Sequence, residues 1–183
     1  MPMAKSLEDL RAQIGKGVNE QRMRYYEDYK RNYAASELAK RFEGSIADEI
    51  YEAERGDVLR NLQMQVSQQG MQWDEFLKQQ GGEQQVGMML MLETRQQLVQ
   101  GYSLDAYYRH FGLSFTEEDL DEVCATINPR NPRGVRKQME AAGMGYVLRE
   151  SAERLAAVKH LVANSEIKTT DEAEEAEVVE EAE

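Results

Sequence analysis

Residues 83 to 128 read EQQVGMMLMLETRQQLVQGYSLDAYYRHFGLSFTEEDLDEVCATIN. No residue in this stretch forbids helix, and it is rich in Gln, Glu, Arg, Leu, Met and Ala, which lose little side-chain freedom in one. Thr116-Glu117-Glu118-Asp119 is a capping-box start, and Leu120, Val123, Cys124 and Ile127 then fit the i, i+3, i+4, i+7 template of an amphipathic helix. The stretch therefore predicts one helix from about Glu83 to Phe111 and a second opening at Thr116. Asn128-Pro129-Arg130-Asn131-Pro132-Arg133 ends the second as a turn-forming doublet. Prolines occur only at positions 2, 129 and 132, so the same helix-permitting character reaches back to Met3. The fold class expected is all-α.

The first helix is expected from Ser6, with Asp9 in a capping-box position, to about Phe42, with Gly44 as its stop. Leu7, Leu10, Ile14 and Val18 mark one stripe, continued by Tyr25, Tyr29 and Tyr33. Such a helix extends over about 50 Å, against a radius of gyration of about 16 Å for a compact body of this length, so it should protrude or span two lobes. A second helix follows Ser45 and ends near Gly70, with Ile46, Ile50, Val58, Leu59, Leu62 and Val66 on a recurring face. A short helix around Trp73, Phe76 and Leu77 stops at Gly81-Gly82. Beyond the proline doublet, a short helix around Val135 and Met139 leads to a last one. There Met144, Leu148, Leu155, Val158 and Val162 share a face, with Ala152 and Ala156 close by.

Charge divides the chain further. Of the net −12, eight negative charges fall in the last thirteen residues, leaving −4 for the rest. A Glu, Ala and Val tail without aromatics buries too little surface to offset its ordering entropy, so residues 169–183 read as a disordered acidic tail, behind a short lead at 1–5 and one helical domain at 6–168. No apolar run approaches the roughly 18 residues of a membrane span, and residues 1–10 carry no signal-peptide core, which points to the cytoplasm. One cysteine, Cys124, and two histidines, His110 and His160, supply neither a disulfide nor a zinc-type ligand set. Nucleophilic catalysis has no base with an orienting partner, and both histidines read as surface or capping residues. Gly143-Met144-Gly145 lacks the further glycine and the preceding strand of a phosphate loop. No catalytic residue, metal or cofactor is assigned.

Several strings, in this order, resemble one family: Ser6 to Ile14 at the head of the long helix; Gln68-Gln69-Gly70-Met71 and Phe76-Leu77; Val99 to Ala106 and Gly112 to Leu120; and Leu148 to Leu161. Their joint order and spacing over roughly Ser6 to Ile167 resembles the C-terminal, substrate-binding domain of bacterial trigger factor, a ribosome-associated chaperone. The resemblance implies an elongated domain with a long N-terminal helix and protruding helical arms. The ribosome-docking and prolyl isomerase domains that precede it in a complete trigger factor have no counterpart here. The chain is therefore read as a stand-alone product or a piece of a longer trigger factor, and not as an enzyme.

Binding of unfolded chains suits the residues. Five consecutive apolar residues, Met88-Met89-Leu90-Met91-Leu92, go right round a helix and cannot all face one core. Thioether side chains are unbranched, polarisable and able to repack around varied sequences. The candidate polypeptide-binding residues are Met64, Met71, Trp73, Phe76, Met88, Met89, Met91 and Tyr102, in an arm-lined cleft of the second, third and fourth helices. The function expected is an ATP-independent holdase for unfolded or nascent polypeptides, with a homodimer and a ribosome or larger chaperone as further candidate partners. Two other readings stand beside it. Tyr25, Tyr26, Tyr29 and Tyr33 on the long helix could pair with a second copy. The basic excess of +4 between Asn128 and His160 could touch RNA phosphates, although the net-acidic body and dispersed arginines argue for a solvated face.

Overall fold

A computed structural model describes residues 6–168, apart from the side chains of Glu8 and Asp9. The lead at 1–5, the Ser6–Asp9 capping box and the acidic tail at 169–183 lie outside the described residues. Among these, seven helices and no strand occur: α1 (Leu7–Ala39), α2 (Asp48–Gln68), α3 (Trp73–Gln79), α4 (Glu83–His110), α5 (Glu117–Ile127), α6 (Pro132–Ala141) and α7 (Gly145–Ala163). The all-α expectation holds. α1 ends three residues before Phe42, where Arg41 N–H and Phe42 N–H donate to Leu38 and Ala39 carbonyls in a closing turn. Asp48, not the residue after Ser45, opens α2.

Local chemistry sets the other boundaries. Gly70 (φ 74°) reverses the chain after α2, with Met71 N–H on the Val66 carbonyl and Gly70 N–H on that of Ser67; Gly81 (φ 86°) repeats the device after α3. L side chains are strained there, which is why glycines close these helices. The Thr116 box forms as read: Thr116 Oγ1 accepts from Asp119 N–H at 3.2 Å while Thr116 N–H donates to Asp119 Oδ2 at 2.8 Å. In α6, Pro132 occupies the first turn, where its missing N–H costs nothing, and Asn131 accepts from Gly134 N–H at 3.0 Å.

The helices pack in two parts. In the body, Ala35, Leu104, Ala157 and Val158 form one cluster between α1, α4 and α7. Leu120, Cys124, Leu148 and Ala152 form a second, covered by Phe115, Val135 and Met139. The last helix thus buries Ala157 where Ala156 was expected, and Met144 is its exposed cap rather than part of the face. The other part is a hairpin: α2 packs on α4, and α3 packs against both. Its buried side chains are Val66, Val86, Leu90 and Thr94, with Thr94 Oγ1 donating to the Leu90 carbonyl at 2.7 Å.

Ion pairs tie the helices of the body to one another. Arg154 reaches from α7 to α4 and holds Asp105 with two bonds, Nε at 2.8 Å and Nη2 at 2.9 Å. A Cβ on Gly101 would lie 3.0 Å from the Arg154 Cζ, so glycine at that turn of α4 leaves the guanidinium its place. Lys159 Nζ lies 2.7 Å from both Asp119 and Glu122, and Arg31 lies 2.6 Å from Glu122, tying α7, α5 and α1 together. Among the described residues, no such interhelical ion pair is seen in the first half of α1. Leu7, Leu10, Ile14 and Val18 are between 45% and 68% exposed, so this stripe projects without a partner among the described residues.

Candidate functional site

On α4, successive residues turn by about 100°, so Val86, Leu90 and Thr94, four apart, share one side. All three are buried. Leu90 therefore anchors the apolar run against α2, and the others turn away from it. Met88 is 52% exposed, Met89 40%, Met91 50% and Leu92 59%. The hairpin is also pinned at this level, because Tyr51 of α2 donates its hydroxyl to the Met91 carbonyl at 3.0 Å. A well-formed helix thus presents four large apolar side chains to solvent in little more than one turn.

The remaining sequence-assigned residues are less alike. Met64 is exposed, but it stands two residues from buried Val66, which puts it on the side of α2 facing away from α4. Trp73 and Phe76 stack on each other with ring centroids 5.3 Å apart, and both are half-buried, as is Met71. Tyr102 is half-buried in the body, fourteen residues along α4 from Met88, or about 21 Å. The helices bring Met88, Met89 and Met91 together; Met64 and Tyr102 stand apart from them.

A groove of about 510 Å³ lies between the end of α1 and the middle of α4. Ala39, Phe42, Leu92 and Val99 supply apolar lining, Lys40 and Arg95 two cations, and Ser36, Gln96 and Gln100 neutral donors and acceptors. None of the eight candidates lines it. Leu92 and Val99 continue the Met88 face at four- and seven-residue steps, but the opposite wall comes from fifty or more residues earlier and leaves no local signal.

The residues set aside from chemistry have structural work. Tyr107 hydroxyl and His160 Nδ1 are 2.9 Å apart, and Phe111 packs on His160 at 5.3 Å and on His110 at 4.8 Å. His160, the half-buried basic residue of the last turn of α7, is thus also part of an aromatic cluster. Burial pushes the Cys124 thiol up, away from nucleophilic thiolate. Among the described residues no group of three or more His, Cys, Asp or Glu could hold a metal, and no helix is long and apolar enough to cross a membrane. Of the basic residues between Asn128 and His160, Arg136, Arg154 and Lys159 already hold carboxylates, which weakens the RNA reading.

Comparison with known proteins gives one consistent direction. The family model described as bacterial trigger factor protein C-terminus matches residues 6–163. The chain is 24% identical over 166 residues to a trigger factor of Pelotomaculum thermopropionicum, an alignment that covers 88% of this chain and 38% of that protein. The chain thus spans well under half the length of that curated relative. No solved structure matches it.

Proposed function

The chain belongs to the bacterial trigger factor C-terminus family, and from that membership we propose that it is a molecular chaperone, an ATP-independent holdase for unfolded or nascent polypeptide. The observation that carries the reading is the open face of α4, where Met88, Met89, Met91 and Leu92 stay exposed although Leu90 beside them is buried. Exposed apolar patches of this kind on a folded chain mark interaction surfaces, and flexible thioethers fit many sequences. Met71, Trp73 and Phe76 extend the contact to the hairpin tip, whereas Met64, on the other side of α2, and Tyr102, farther along α4, stand apart from it. The geometry supports an open hairpin face more than an enclosed cleft. Weak, multiple contacts release the client without nucleotide. The role is binding rather than catalysis, the site of action is the cytoplasm, and ribosomes or a larger chaperone are candidate partners.

Changing Met88, Met89 and Met91 together to Gln tests this. Exposed substitutions of this kind shift stability by no more than about 0.5 kcal/mol each, so helix content and unfolding midpoint should hold. Suppression of aggregation of a denatured model protein should fall severalfold. A variant that folds and suppresses as well as the parent sinks the assignment.

A second reading rests on the exposed stripe of α1. Leu7, Leu10, Ile14 and Val18 could seat a second copy, and the Tyr29–Tyr33 pair, stacked at 6.1 Å, continues the apolar surface. A tight dimer in sedimentation that leaves aggregation of a client unchanged favours assembly over client binding.

A further inference from the structure

The groove between α1 and α4 has a feature unusual in a chain of net charge −12: its lining carries Lys40 and Arg95 and no carboxylate. Lys40 pairs with Glu37 on its own helix, whereas Arg95 is exposed and shows no carboxylate partner among the described residues. Its apolar part, Ala39, Phe42, Leu92 and Val99, is wide enough for a pair of aliphatic side chains. The chemistry called for is an extended segment with adjacent aliphatic residues flanked by acidic ones. The chain contains such a segment: Val178-Val179 is preceded by Glu177 and followed by Glu180-Glu181.

We propose that residues 174–183 of this chain dock in the α1–α4 groove, with Val178 and Val179 against Phe42, Leu92 and Val99 and the flanking glutamates facing Arg95 and Lys40. Reach permits it. Arg154 on Asp105 and His160 beside Tyr107 and Phe111 show that α7 runs parallel to α4 and ends level with its last turn. From His110 back to Gln96 is fourteen residues of helix, about 21 Å. Ten residues from Lys168 to Val178 extend to roughly 33 Å. Tethering supplies an effective concentration of about 1 mM, so a segment whose own dissociation constant is about 0.1 mM would fill the groove roughly nine-tenths of the time. Leu92 belongs both to the groove and to the open methionine face, so a docked segment competes there with clients. That consequence rests on the holdase reading; the docking does not.

The test uses the full chain with Val178→benzoylphenylalanine, irradiated without any client. Cross-links should map to residues 39–42 and 92–99 of the same molecule, with a yield independent of protein concentration. Arg95→Glu combined with Lys40→Glu should cut that yield severalfold, and Arg95→Gln by less; circular dichroism confirms the fold, and Arg95→Gln keeps the test valid if charge reversal disturbs it. Links scattered over the surface, links between molecules only, or a yield untouched by both variants would overturn the proposal. Because no client is present, a failed holdase reading leaves this result interpretable, and the reverse also holds.

Discussion

Leu148→Ala is expected to cost about 3 kcal/mol, lowering the thermal midpoint by roughly 10 °C. Leu148 is 2% exposed and fills the space among Leu120, Cys124 and Ala152, while Phe115, Val135 and Met139 close it from outside. Its truncation leaves a cavity where α5, α6 and α7 meet, and Ala152, one turn along the same helix, is too small to fill it. Met88→Ala removes a side chain of comparable size from the exposed face of α4 and should change stability by no more than about 0.5 kcal/mol. Denaturant unfolding of the two variants separates a residue that holds the body from one available for contact. Equal losses would mean that Met88 is packed in solution and the open face does not exist.

Lys159→Met is the second large effect, and its pH dependence distinguishes electrostatics from packing. Burial alone would push the Asp119 carboxyl up, but the hydrogen bonds from Lys159 and Thr116 and the ammonium charge outweigh it and hold Asp119 below the usual aspartate range. Burial likewise opposes the Lys159 ammonium, yet its bonds to Asp119 and Glu122 raise it. With the Asp119 side chain only 8% exposed, removing its cation strands a carboxylate. The expected loss is about 2 kcal/mol at neutral pH, discounted from a fully buried pair because Lys159 is one-third exposed. A depressed carboxylate stabilises the fold above its unfolded value, about 3.9, and loses that contribution as pH falls through its folded value. The raised ammonium contributes below about 10.4 and is lost as pH rises through its folded value. Urea midpoints of parent and variant should therefore differ most at neutrality and converge as pH falls below the unfolded carboxylate value and through the depressed folded one. A difference that persists unchanged into acid would make Lys159 a packing residue.

Local grammar was readable and long-range pairing was not. Thr116 and Asp119 declare their helix because both halves of the box lie within four residues. Gly70 and Gly81 declare their turns because only glycine occupies those dihedrals without strain. The Met88 to Leu92 run announced that some apolar surface had to stay open, but sequence alone did not say that Leu90 would be the residue turned inward. The partner that decides this, α2, is specified by packing across the hairpin. The same holds for Lys159, which reads as a surface cation until α5 brings Asp119 and Glu122 against it. Periodicity placed Ala156 near the core face, and the crossing of α1 over α7 selects Ala157 instead. Tyr102 stood in the candidate set with Met88, whereas the rise of α4 carries it about 21 Å away.

Methyl NMR of the full chain labelled at its methionines tests most directly whether the open face of α4 binds unfolded polypeptide. On titration with a permanently unfolded protein, the Met88, Met89 and Met91 signals should shift and broaden together, while Met139, packed over the Leu148 cluster, should stay in place. Movement of Met139 with Met88, Met89 and Met91 unmoved would contradict the assignment of that face as the client-binding surface.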